Sequence, residues 1–139
     1  MKRSDALLQL SREHHGALAL ALAAKRAAAA NHAGDIEMVA KRVGAAFARE
    51  LAPHFCEEED WLLPQLLAAG ETELVARTLA EHAELRALVA QLRHPDAPTL
   101  LRFAERLKAH VRFEEGELFE TAEERQIERP AKPPADGAT

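Results

Sequence analysis

Three short breaks constrain the fold more than anything else in the chain. They are NHAGD (31–35), AAGET (68–72) and HPDAPT (94–99). Between them, apolar residues recur three, four and seven apart, the spacing of one helix face. Leu7, Leu8, Leu10, Leu18 and Leu22 form such a stripe in the first segment, from about Ser4 to Ala30. Val39, Val43, Phe47, Leu51, Phe55, Leu62 and Leu66 do so from Ile36 to about Ala69. Leu74, Val75, Leu79, Leu85, Leu88, Val89 and Leu92 mark the third, from Glu73 to Arg93. Leu100, Leu101, Phe103, Leu107, Val111, Phe113, Leu118 and Phe119 mark the fourth, which starts after Thr99 and fades near Gln126. Connections this short place consecutive helices side by side and antiparallel. The expected fold is therefore all-α, an up-down-up-down four-helix bundle. Tyr is absent, Ala and Leu dominate, and no alternating Val, Ile and Thr stretch suggests a strand.

Local punctuation refines this picture. Ser4, Asp35 and Thr72 are placed to cap helices, and Gly34 to break the chain between the first two. Pro53 and Pro64 fall inside the second helix. Each removes a backbone donor, which predicts a kink near Pro53 and a kink or early end near Pro64. The 139 residues are enough for one domain with a hydrophobic core. Residues 1–125 are expected to form the bundle and 126–139, with ERPAKPPADGAT, a disordered tail.

Charge and composition exclude some functions. A net charge of −5 argues against nucleic acid or an anionic membrane as partner. No run approaches the ~20 apolar residues of a membrane span. MKRSDALLQLSREHH lacks the uninterrupted apolar stretch of a leader. Cys56 is the single cysteine, so no internal disulfide can form. This fits a cytoplasmic protein, monomeric or weakly dimeric.

Five of the seven histidines lie within helices. His14 and His15 are in the first, His54 in the second, His82 in the third and His110 in the fourth; His32 and His94 fall in loops and are expected to face solvent. His54, His82 and His110 have Leu, Val or aromatic residues at offsets of three or seven, so they lie on or beside the core faces. Two have a glutamate one turn later: His54 with Glu58, and His110 with Glu114. The segments HFCEEEDWLLP and HVRFEEGELFE share this spacing and form a small internal repeat. The neighbouring acids Glu57, Glu59, Asp60, Glu115 and Glu117 are expected to face water, with at most an indirect influence on the site.

A single histidine on an apolar face is commonly a hydrogen-bonded core residue. Four histidines and two glutamates in one small bundle are different, because burying them without a shared partner would cost several kcal/mol. A metal centre supplies that partner. Imidazoles and carboxylates from facing helices are the donor set of di-iron and di-manganese bundles. Two carboxylates from different helices can bridge two ions while imidazoles cap them. Six protein donors leave positions open for a small molecule.

The ordered segments LSREHHGAL, HFCEEEDWLLPQL, LAEHAEL and HVRFEEGELF resemble those of the hemerythrin-like, or HHE cation-binding, domains. The resemblance implies a hemerythrin-like bundle holding two iron ions, oxo or carboxylate bridged, with manganese or zinc as alternative metals. It implies that the protein binds or senses oxygen, nitric oxide or peroxide. The alternatives are a low-turnover di-iron peroxidase or oxidase, an iron-handling stress protein, or an interaction module with a structural metal. Carried over, the ligands are His14 or His15, His54, Glu58, His82, His110 and Glu114. The EH dipeptide shared by 13–14 and 81–82 favours His14. Apolar context favours His15, because Leu8, Leu18 and Leu22 match Val75, Leu85 and Val89 around His82; the choice leans to His15. The oxygen carriers of the family have a second histidine one turn from the first on the third helix. Here those positions hold Arg86 and Thr78. The carriers also have an aspartate five residues after the fourth-helix histidine, where this chain has Glu115 after Glu114. The departures imply a sensing, iron-handling or redox role over a reversible oxygen store.

Overall fold

The computed structural model describes residues 3–131. Within them the chain forms four helical rods and no strand. Helix α1 is Asp5–Ala30, α2 covers residues 33–68, α3 is Thr72–Gln91 and α4 covers residues 97–124. The rods pack in an antiparallel four-helix bundle.

Ser4 caps α1 as expected, its hydroxyl accepting from the Leu7 amide at 3.3 Å. Asn31 ends the helix in the left-handed conformation, with φ 55°. Other ends differ from expectation. Helix α2 already starts at Ala33, so Gly34 and Asp35 lie in its first turn and Asp35 is no cap. Thr72 is the first residue of α3, and Glu71 precedes it without a side-chain cap. Asp96, three residues before Thr99, caps α4 by accepting from the Thr99 amide at 2.7 Å.

Helix α2 runs through both prolines. Before each lies one wide π turn, Phe47–Leu51 ahead of Pro53 and Glu58–Leu62 ahead of Pro64. Each closes with an amide reaching back five residues, Ala52 to Phe47 and Leu63 to Glu58. A wider turn accommodates the proline ring and the missing donor without ending the helix. The early end expected at Pro64 does not occur. A third π turn, Glu114–Leu118, lies in α4 with no proline near it. It matches the α2 turn at Glu58 residue for residue in the internal repeat.

The core has three layers. One apolar cluster holds Ala17, Leu20, Ala24, Val43, Phe55, Leu85, Leu100, Phe103 and their neighbours. A second holds Leu7, Leu10, Trp61, Leu62, Leu66, Leu118 and Phe119. Seven of the eight buried polar residues fall between the two, some on every helix: His14, His54, Glu58, Thr78, His82, His110 and Glu114; the eighth, Glu123, pairs with Arg3. Ile127 is buried in the second cluster, and Arg129 pairs with Glu57 at 3.0 Å. The last helix ends at Glu124, and the chain just after it still packs against the bundle. Of the expected tail, residues 132–139 lie outside the described residues.

The leucine stripe expected on α1 is only partly right. Leu18 and Leu22 are exposed, and so is Leu79 on α3. The buried face of α1 above the polar layer is mainly alanine: Ala17, Ala21, Ala24, Ala27 and Ala28. Alanine lets neighbouring backbones approach closely, so these small residues turn inward together with Leu20, while Leu18 and Leu22 face outward.

Candidate metal centre

His14, His54, His82 and His110 each direct Nε2 toward the middle of the polar layer, one from each helix. Glu58 and Glu114 enter between them, fully buried. The two oxygens of each carboxylate divide their company. Glu58 Oε2 is 3.2 Å from His54 Nε2, and Oε1 is 2.9 Å from His82 Nε2. Glu114 Oε1 is 2.8 Å from His14 Nε2 and 3.5 Å from His54 Nε2. Its Oε2 is 3.0 Å from His110 Nε2 and 3.6 Å from His82 Nε2. Two donor clusters result: His14, His54, Glu58 and Glu114, and His82, His110, Glu58 and Glu114. Within each, the donor atoms lie within 4.8 Å of one another.

Most of these contacts are close without being hydrogen bonds. His54 Nε2, His82 Nε2, His110 Nε2, both Glu58 oxygens and Glu114 Oε2 are buried without a hydrogen-bond partner. Buried polar atoms are ordinarily paired, and six unpaired ones converging on one point need a common partner. A cation satisfies imidazole nitrogen and carboxylate oxygen together. The residues present therefore fit the metal expected from the sequence.

The first-helix choice resolves against the leaning toward His15. His14 is the buried residue, and His15 is exposed and joins neither cluster. Of the leucines that favoured His15, Leu18 and Leu22 are exposed and Leu8 is half-buried. The expected ligands otherwise converge: His54, Glu58, His82, His110 and Glu114 all face the centre. His32 and His94 are exposed, as expected.

The outer edge of every imidazole is also occupied. Glu115 lies 2.6 Å from His14 Nδ1, and Glu13 lies 2.7 Å from His54 Nδ1. Glu59 lies 2.7 Å from His82 Nδ1, and Glu81 lies 2.7 Å from His110 Nδ1. Each helix thus supports the histidine of the next, and α4 closes the ring on α1. Such a carboxylate fixes the ring orientation, places the proton on Nδ1 and leaves Nε2 free to bind a cation. Glu59 and Glu115 therefore do not simply face water. Glu59 and Glu115 each follow the first residue of a π turn and reach a histidine on the neighbouring helix. Glu57 accepts from the Trp61 indole at 2.7 Å, while Asp60 and Glu117 are exposed, as expected. Glu13 and Glu81 escape a reading of helix faces because their partners lie on other helices. Their signal was the EH dipeptide, repeated at both positions.

Aromatic rings hold the imidazoles from the side. Phe55 stacks on His82 at 3.9 Å, and Phe119 lies parallel to His14 at 5.3 Å. Arg86, one turn after His82, points outward and clamps Glu59 at 2.9 and 3.0 Å. Thr78 is buried, and its hydroxyl donates back to the Leu74 carbonyl at 2.8 Å. Neither replaces the missing imidazole.

Without a cation, the charges interact directly. Burial alone would lower the histidines, but the adjoining carboxylates outweigh it. Glu114 and Glu58 raise His54 to about 11 and His82 to about 9. Glu114 and Glu81 raise His110 to about 10. Glu58 is pushed up by burial and by the charge of Glu114. Burial acts in the same sense on Glu114, but His110, His14 and His54 hold it well below the usual carboxylate range.

Fold and site together define a class: helical bundles whose buried polar layer supplies histidine and glutamate donors for cations. The chain belongs to the hemerythrin HHE cation-binding domain family, whose model matches residues 6–122. No curated protein and no solved structure shows a significant match to it. No helix among the described residues is long and apolar enough to cross a membrane.

Proposed function

We propose that this protein is a non-haem di-iron protein that binds or senses a small ligand such as oxygen, nitric oxide or peroxide. The observation that carries this reading is the division of the Glu58 and Glu114 oxygens between two histidine pairs. That arrangement suits two ions sharing both carboxylates. His14 and His54 would hold one ion and His82 and His110 the other, with Glu58 and Glu114 available to both. Iron and manganese take more donors than these four, so positions are left for an exogenous molecule. When bound, the iron pair supplies redox-active, Lewis-acidic positions at which such a ligand attaches.

The chain's own residues set the conditions for that chemistry. The outer carboxylates hold each Nδ1 proton and keep Nε2 directed inward. Phe55 and Phe119 restrict ring rotation and keep water from two of the imidazoles. The apolar clusters on either side confine access to the seams between helices. The donor set holds no thiolate, since Cys56 is exposed and outside both clusters.

Anaerobic loading with ferrous iron, followed by metal counting and an optical spectrum before and after oxygen, tests the proposal. The expected result is about two irons per chain and an oxygen-dependent absorption change. A count near zero refutes it. Two tightly held ions with no ligand-dependent spectrum would indicate a structural metal instead.

A further inference from the structure

The four seams between helices are closed unequally. Arg86 clamps Glu59 at the α2–α3 seam, and its guanidinium lies 5.5 Å from the Phe55 ring centre. Arg77 holds Glu81 at 3.0 Å at the α3–α4 seam and lies 3.9 Å over Phe113. Arg3 holds Glu115 at 2.7 Å at the α4–α1 seam, where Ser11 also donates to it. At the α1–α2 seam Glu13 has no arginine or lysine partner among the described residues. Its company besides His54 is the exposed Gln9 amide at 3.0 Å. The Glu13 side chain is 39% exposed, against 24% for Glu59, 25% for Glu81 and 33% for Glu115.

A groove of about 440 Å³ lies along that same seam. Arg12, Gly16, Ala46, Arg49 and Glu50 line it, and Glu13 and His54 reach it from the site. A larger hollow of about 670 Å³, around Ile36, Lys41 and Arg93, touches none of the six inner residues. Gly16 lines the groove from α1, and a Cβ there would stand 3.4 Å from Glu50 Oε1 across it. The unclamped carboxylate, the open groove and a buried histidine with an unpartnered Nε2 coincide at one seam.

We propose that the α1–α2 groove is the route by which divalent cations reach the centre, with Glu13 the carboxylate that passes them inward past His54. This rests on the metal-centre reading above. Glu13 is held by His54 and Gln9 but by no arginine or lysine, so it is less restrained than the other three outer carboxylates, and a carboxylate is a suitable transient ligand for a hard divalent ion. The His14–His54 cluster lies nearest the groove and fills first. The His82–His110 cluster fills behind it.

Uptake of cobalt(II) by the metal-free full chain, followed by visible absorption in rapid mixing, tests this. Gly16→Leu adds a side chain to the groove lining without replacing a donor. It should slow uptake about tenfold or more while the final cobalt count stays at the wild-type value. Ala46→Leu narrows the groove from α2 and serves if Gly16→Leu does not fold. Glu13→Gln should slow uptake by a similar factor, since it removes the charge that receives the ion. Ala29→Leu, away from the groove, should load as wild type does. Wild-type rates in both groove variants, with the final count unchanged, would overturn the route and leave the metal centre standing. A wild-type chain that takes up no cobalt and no iron would remove the metal centre and the route with it.

Discussion

The polar layer and the apolar cluster above it are equally buried and opposite in chemistry. Leu100 and Phe103 have no exposed surface, and neither do Glu58, His82 and Glu114. In the apolar cluster burial is itself the stabilising term, about 25 cal/mol per Å² removed from water. In the polar layer burial is a cost, and six atoms lack the hydrogen bonds that would offset it. Apolar packing on either side carries the fold and positions the polar groups between. Stability and function are thus written into adjacent layers of the same four helices.

The sharpest way to break this comparison is Glu114→Ala. It removes an oxygen from both clusters, so metal analysis should show loading falling from about two ions per chain to about zero. Phe103→Ala is the converse change. It should destabilise the fold by about 3–5 kcal/mol in urea unfolding, with the metal count of the folded protein unchanged. Equal loss of metal in both variants would mean that the two layers are not separable.

Smaller effects should come from the outer ring. Glu59→Gln leaves an acceptor near His82 but discharges the pair with Arg86. A competing-chelator titration should show affinity reduced about 10–100-fold.

The metal-free protein should respond to pH in a definite sense. His54, His82 and His110 sit at about 11, 9 and 10, above their ordinary 6.5. Raised histidines stabilise the folded state fully below 6.5, and that contribution is lost as pH rises through the folded-state values. Glu114 acts oppositely: its contribution is present above the ordinary 4.5 and lost as pH falls through its depressed value. The metal-free thermal midpoint should therefore fall from neutral pH toward pH 9, and the loaded protein should fall less. Cation loading displaces the histidine protons, so an indicator dye should register proton release on loading. The smallest effect belongs to His15→Ala, within about 0.5 kcal/mol and with no loss of metal. His14→Ala should lose it.

The donors on a single helix were legible because helical spacing relates them directly. Glu58 follows His54 by one turn and Glu114 follows His110 by one turn, so their shared direction needs no knowledge of other helices. His14 and His15 were harder to separate, since one residue is only ~100° of rotation on a helix. The neighbouring leucines misled because α1 packs through alanines. The prolines were visible, but the π turns ahead of them depend on how the helix accommodates the lost hydrogen bonds. The repeat between α2 and α4 held more than its His–Glu spacing, since it also places a π turn at the same offset in both helices.

The sequence by itself determined that four helices form, that they run antiparallel, and that histidine–glutamate pairs one turn apart meet in the bundle. These follow from periodicity, short connections and spacing, all local along the chain. Only the tertiary structure decided that His14 faces inward, that Glu13, Glu59, Glu81 and Glu115 close a ring around the imidazoles, and that one seam is left unclamped. Those contacts join residues 23 to 101 positions apart. They depend on the rotation of each helix against its neighbours, which side-chain size across the whole interface sets.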